Sequence, residues 1–310
     1  MRRPAATAVP TSDARRRAVG VACIVASALA FGAMAILARF AYASGVDTAT
    51  LLALRFTIAA ALMFALVRRR AAPLPRGGML GAVVALGALG YGGQAFTFFT
   101  ALTLAPAGLV ALLLYLHPAL VALLAASFLR ERLTRTKILA LAMALVGMAL
   151  TVGPALAGGD GGAQGAQPAG IAFGVAAAAI YAVYIVVGAR VGRHVAALPL
   201  ATVVIAAAAC VFVAWAAWRG PAWPATAAGG LAILGIAILS TVVAITLFFA
   251  GLDRIGPTRA STLSTIEPLF TVLLAAAVLG ETIAPVQLAG GALILAAVVL
   301  LARSPPARDA

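Results

Sequence analysis

Residues 254–281 read RIGPTRASTLSTIEPLFTVLLAAAVLGE, and residues 104–131 read LAPAGLVALLLYLHPALVALLAASFLRE. At a constant offset of 150 residues the two align without a gap: Pro118 falls on Pro268, the run Leu123-Leu124-Ala125-Ala126 on Leu273-Leu274-Ala275-Ala276, and Glu131 on Glu281. The same offset sets Gly20 over Gly170 and Phe31 over Tyr181. Alanine and leucine are too frequent here for their matches to weigh much, so the proline and glutamate pairs carry the alignment. Self-similarity at a fixed offset marks an internal duplication.

The composition names the solvent of the duplicated unit. The chain is 64% hydrophobic and only 10% charged, whereas a soluble domain carries roughly a quarter charged residues. Runs of about 20 residues with at most one charge recur along it, the length that spans a hydrocarbon core of ~30 Å. The fold class is therefore an all-α polytopic membrane protein. Charge clusters and Pro/Gly breaks predict ten spans, near 19–41, 48–67, 78–99, 104–128, 134–153, 169–190, 196–217, 229–250, 255–279 and 283–302. A basic tail (1–18) precedes the first repeat (19–153), a Gly-rich linker (154–168) separates it from the second (169–303), and a short tail (304–310) follows. The start, MRRPAATAVPTSDARRRAVG, also suits a signal peptide cleaved near Ala30 to Ala35. The apolar stretch runs on to Tyr42 and has a counterpart in the second repeat, so a permanent helix is expected.

A net charge of +14 would suggest nucleic acid in a soluble protein; here the arginines lie between apolar runs and report topology. With the N-terminus in the cytoplasm, 19 of the 22 basic residues fall on that side, in clusters such as Arg15-Arg16-Arg17, Arg68-Arg69-Arg70 and Arg130 to Lys137. Arg39 and Arg219 fall outside and Arg55 lies within the second span. That asymmetry follows the positive-inside rule, and Trp215, Trp218 and Trp223 gather at the outer end of the seventh span. The expectation is an inner-membrane protein with both termini cytoplasmic, whose partners are the bilayer and a small-molecule substrate, not nucleic acid. Each half has five spans, an odd number, so the second half enters the membrane inverted. Two inverted repeats give two near-equivalent packings that expose a central site alternately, as in secondary transporters.

Phe31-Gly32, Arg39, the pair Arg55-Phe56, the pair Glu267-Pro268 and the closing Gly280-Glu281 together resemble the EamA branch of the drug/metabolite transporter superfamily. The resemblance covers about residues 19 to 303. It implies ten helices in two five-helix inverted repeats and the movement of small metabolites such as amino acids, with export the expected direction and no ATP site. Phe31 stands where the family usually has tryptophan, and the first-half partner of Glu267 is His117.

Soluble-enzyme signatures are missing: the sequence has no P-loop, no GxSxG and no HExxH, and two histidines and two cysteines make no metal site. No cofactor is expected. Glu267 is the first substrate-binding candidate, because a carboxylate at mid-membrane costs several kcal/mol unless it faces protein or water. Ser264 shares its helical face, and Pro268 frees a carbonyl near residue 264. The alternative role for Glu267 is a protonated side chain hydrogen-bonded to a neighbouring helix. His117 sits at matching depth; a lone histidine in a core is more often a packing residue that hydrogen-bonds, and proton coupling through a His/Glu relay is the alternative. Tyr91 and Gln94 on the third span, Tyr181 and Tyr184 on the sixth, and Ser240 on the eighth complete the expected pocket. Arg55 is expected to snorkel outward or pair with Asp47, with attraction of a substrate carboxylate as the alternative, and Glu131 and Glu281 to cap the fifth and tenth helices. A secondary transporter is thus the main reading; a gradient-independent channel or facilitator is the alternative, and an intramembrane enzyme is disfavoured by the scarcity of His, Asp and Glu.

Overall fold

A computed structural model describes residues 12–128, 135–156, 166–191, 195–255, 260 and 263–303. Every regular element among them is helical. The first half contains α1 (Ser12–Ala43), α2 (Thr48–Arg69), α3 (Gly77–Leu104), α4 (Ala107–Leu114), α5 (His117–Phe128) and α6 (Arg135–Leu156). The second half contains α7 (Pro168–Val191), α8 (Ala197–Arg219), α9 (Ala227–Ile255), α10 (Ile266–Leu279) and α11 (Pro285–Arg303). Among the described residues seven stretches are long and apolar enough to cross a membrane: Arg15–Ala43, Thr48–Arg69, Gly77–Leu104, Ala107–Leu124, Pro168–Val191, Ala197–Arg219 and Ala227–Ile255. Three shorter apolar helices lie at Ile138–Thr151, Ile266–Leu279 and Pro285–Leu300.

Local chemistry sets the ends. Asp47 accepts the Thr50 amide at 2.7 Å and caps α2, and Thr226 accepts the Gly229 amide at 3.1 Å and caps α9. Pro168 and Pro285 occupy first helical positions, where a missing N–H costs nothing. Gly280, at φ 66°, takes the left-handed conformation that ends α10. Arg39 Nη1 donates to the Leu102 carbonyl at 2.8 Å, satisfying an oxygen in the last turn of α3.

Two features depart from continuous spans. The fourth span turns at Tyr115 and Leu116 before α5 begins, and the ninth turns at Thr265 before α10 begins. These positions are related by the 150-residue offset, and in each case the proline follows within the first helical turn. A proline inside a continuous helix would remove a hydrogen bond and clash one turn back, and restarting the helix avoids both. In addition, α3 contains a π-helical segment at Leu86–Tyr91 and α9 one at Ile238–Val243.

The interior is apolar, but it also holds polar groups, and the exterior is apolar as well. Among the described residues Thr50, Arg55, Gln94, Ser240, Thr241 and Gln287 are buried, while Leu89, Leu139, Leu231, Leu273 and Trp218 are exposed. Trp218 and Trp223 face outward as an interfacial belt, but Trp215 turns inward against Phe96 and Phe212. The two halves interleave: α1 packs on α9 and α10, α7 on α3, α4 and α5, α2 on α8, and α6 on α11. Exchanging the halves leaves this set of pairs unchanged, which is the mark of a pseudo-two-fold axis. Glycines let backbones approach at these seams, most closely where Gly147 on α6 meets Gly290 on α11.

Candidate functional site

The prolines build the centre. Pro118 deprives the Leu114 carbonyl of its helical donor, and Pro268 does the same to Ser264, residues again 150 apart. His117 Nδ1 lies 3.0 Å from the Leu114 oxygen; a carbonyl only accepts, so Nδ1 carries the proton. The Ser264 oxygen takes the Tyr115 hydroxyl, at 3.0 Å, from the opposite half. Ser264 Oγ donates to the Ala260 carbonyl at 2.9 Å and so serves its own helix.

Tyr115 Oη is also 3.0 Å from Glu267 Oε2. A phenol has one proton. An ionised Glu267 competes for it with the Ser264 carbonyl, whereas a protonated Glu267 supplies a second proton and satisfies both contacts. The protonation state of this carboxyl is thereby tied to the hydrogen bond that closes the break before α10.

A row of rings runs on from Tyr115. Its centroid lies 5.7 Å from His117, His117 lies 4.6 Å from Tyr181, Tyr181 stacks on Tyr184 at 5.9 Å, and Tyr184 lies 5.8 Å from Tyr91. These rings, with Phe31, Gln94, Phe98, Ser264, Glu267 and Arg55, line a cavity of about 380 Å³ between the halves. The cavity contains side chains from α1, α2, α3, α7 and the broken fourth and ninth spans. Of the residues named from sequence, Tyr91, Gln94, His117, Tyr181, Tyr184, Ser264 and Glu267 lie on its wall. Ser240 does not: it is fully buried within the π segment of α9, and its hydroxyl has no partner among the described residues. Tyr115 stands between His117 and Glu267, touching both.

Arg55 corrects a sequence expectation. It neither snorkels nor pairs with Asp47, whose carboxylate caps α2. Its side chain is 2% exposed and turns inward, Nε donating to Thr241 Oγ1 at 3.1 Å and Nη2 to the Tyr91 hydroxyl at 3.3 Å. Both acceptors lie in the π segments, which a periodicity of 3.6 does not anticipate. Tyr115, Ser27 and Thr265 are further polar wall residues outside the expected set; Ser27 Oγ donates to the Ala244 carbonyl at 2.8 Å.

Glu281 is a second correction. Its two carboxylate oxygens accept the Ala107 and Gly108 amides at 2.8 and 3.0 Å, so it caps α4 of the other half and not the following helix. The reverse turn at Gly280 aims it across the seam. Two charge-assisted bonds at a helix N-terminus are worth about 2 kcal/mol or more. Glu281→Ala is therefore expected to lower the thermal midpoint of the detergent-solubilised protein by several degrees; an unchanged melt would show that the contact adds nothing. Glu131, its counterpart in the repeat, lies outside the described residues.

Comparison with known proteins agrees with this architecture. A solved crystal structure superposes with a TM-score of 0.64 at 24% identity, over 92% of this chain and 96% of that one, and shares the fold. An uncharacterized transporter of Synechocystis sp. is 26% identical over 209 residues, which is 66% of this chain; the match spans 61% of the relative's length. The sequence model of the EamA-like transporter family matches twice, at residues 18–153 and 168–303. With both halves matched and the paired breaks and seams related by the same offset, this multi-pass membrane protein belongs to the EamA-like transporter family, within the drug/metabolite transporter superfamily.

Proposed function

We propose that the chain is a secondary transporter that moves small metabolites, such as amino acids, across an inner membrane by alternating access between its halves, with export the expected direction. The seven long spans and three shorter apolar helices are read as ten crossings, with the second repeat inverted and both termini cytoplasmic. The observation that carries the reading is the cavity at the seam, whose wall is drawn from both halves. A site shared across a pseudo-two-fold axis opens to one side or the other as the halves rock. Tyr91, Gln94, His117, Tyr181, Tyr184 and Ser264 are its proposed contacts, and Glu267 is the proposed proton-carrying group on the same wall, with Tyr115 linking it to His117 as the middle of a proton path.

Counterflow tests this. Proteoliposomes preloaded with an unlabelled amino-acid mixture and diluted into the same mixture carrying radiolabel should accumulate label transiently above equilibrium. A carrier exchanges and overshoots. Simple equilibration without overshoot would favour an open channel or facilitator and would overturn alternating access.

A further inference from the structure

We propose that Arg55 anchors a carboxylate on the transported solute, which makes the substrate class small carboxylates with an apolar or aromatic body. The inference rests on the cavity being the transport site.

Arg55 is the eighth residue of α2, so it lies ~10 Å along the helix from its start. No aspartate or glutamate pairs with it among the described residues; its two hydrogen bonds go to neutral hydroxyls. A buried cation without a counter-ion costs several kcal/mol, more in a membrane interior than in a wet site. A guanidinium has five N–H donors, and the two hydrogen bonds to Thr241 and Tyr91 leave the others for a ligand at the cavity wall.

The surroundings fix the direction in which that donor fork points. Thr241 Oγ1 donates its own proton to the Ile236 carbonyl at 2.9 Å, so it meets Arg55 Nε as an acceptor. The guanidinium carbon lies 4.7 Å from the Phe56 ring centroid and 5.1 Å from that of Phe99. Rings against the guanidinium leave its edge for in-plane, bidentate recognition of a carboxylate. Tyr91 comes from the π segment of the first half and Thr241 from that of the second. Such segments, rare in helices, gather at functional sites because the extra residue re-aims a side chain. Here both of them serve the same arginine.

Arg55 and Glu267 also occupy different ends of the cavity's aromatic row. Glu267 is bonded at Tyr115 and Arg55 at Tyr91, with His117, Tyr181 and Tyr184 between them. A solute whose carboxylate sits on Arg55 lays its apolar body along the rings. Glu267 at the far end remains free to take and release a proton.

Three probes of one shape separate the possibilities: phenylpropionate, L-phenylalanine and phenethylamine, tested by isothermal calorimetry on the full-length protein in detergent. The two carboxylates should bind wild type, and Arg55→Gln should weaken both at least ~10-fold, the effect of losing a charge-assisted pair. Thr241→Val, which keeps the charge but frees the fork, should weaken them by a smaller factor and guards against a misfolded Arg55→Gln. Undiminished phenylpropionate binding by both variants overturns the assignment, as does a wild type that prefers phenethylamine or binds neither carboxylate. Ala201→Trp fills the cavity and isolates the underlying reading. If it blocks phenylpropionate while Arg55→Gln does not, the site stands and the role of Arg55 falls. If it leaves binding intact, the cavity is not the site.

Discussion

Gly290→Leu is expected to leave no folded protein to purify. A Cβ at Gly290 would stand 2.5 Å from Thr151 Oγ1, 2.6 Å from the Gly147 oxygen and 2.8 Å from the Thr151 amide nitrogen. The contact is mutual, since a Cβ at Gly147 would lie 2.7 Å from the Gly290 oxygen. Two of those three neighbours of Gly290 are backbone, so relief requires α6 and α11 to separate. Separation would also break the buried bond from Gln287 Nε2 to the Thr151 carbonyl, 3.2 Å long. Overpacking a soluble core costs about 1–3 kcal/mol. In lipid the cost is harder to recover, because helices gain nothing from leaving water and depend on close contact itself. Fluorescence-detected size exclusion of the solubilised variant should show aggregate or no peak. A sharp monodisperse peak at wild-type yield would mean that the seam is not needed for assembly.

Glu267→Gln is expected to separate exchange from drive. A glutamine amide can donate to Tyr115 Oη as a protonated glutamic acid does, leaving the Tyr115 proton on the Ser264 carbonyl. The variant should therefore fold at wild-type yield and retain counterflow. It cannot release a proton, so accumulation driven by an imposed pH gradient in proteoliposomes should fall to the level of protein-free vesicles. Gradient-driven uptake by Glu267→Gln equal to wild type would remove the carboxyl from the coupling mechanism. Loss of counterflow as well would instead place Glu267 in substrate binding.

Much of the helical architecture was legible because hydropathy responds to the bilayer directly. Span edges such as Thr48–Arg69 and Pro168–Val191 fall within a few residues of the apolar runs. The offset also located the two prolines, whose carbonyls turned out to organise the centre. What was not legible is how a freed carbonyl is satisfied. His117 bonds back across the break within its own span, while Ser264 receives Tyr115 from the opposite half, and only tertiary structure brings Tyr115 there. Arg55 was misread for a similar reason. Depth within a span suggests snorkelling, but two π segments, invisible to a 3.6-residue period, place hydroxyls where the arginine meets them. Ser240 shows the opposite error: the same π segment that presents Thr241 keeps Ser240 away from the cavity.

The unlike satisfaction of the two proline-freed carbonyls bears on the energy of the transport cycle. In a duplication with identical copies, the state open to one side and the state open to the other would be isoenergetic. Here one cap travels with its own helix and survives any rigid movement of the halves, while the other spans the seam and must be re-formed. A difference of one hydrogen bond, about 1 kcal/mol, weights two states roughly five-fold. Under the alternating access proposed above, the cycle would have a built-in resting direction, set by a single tyrosine where the other copy has Thr265.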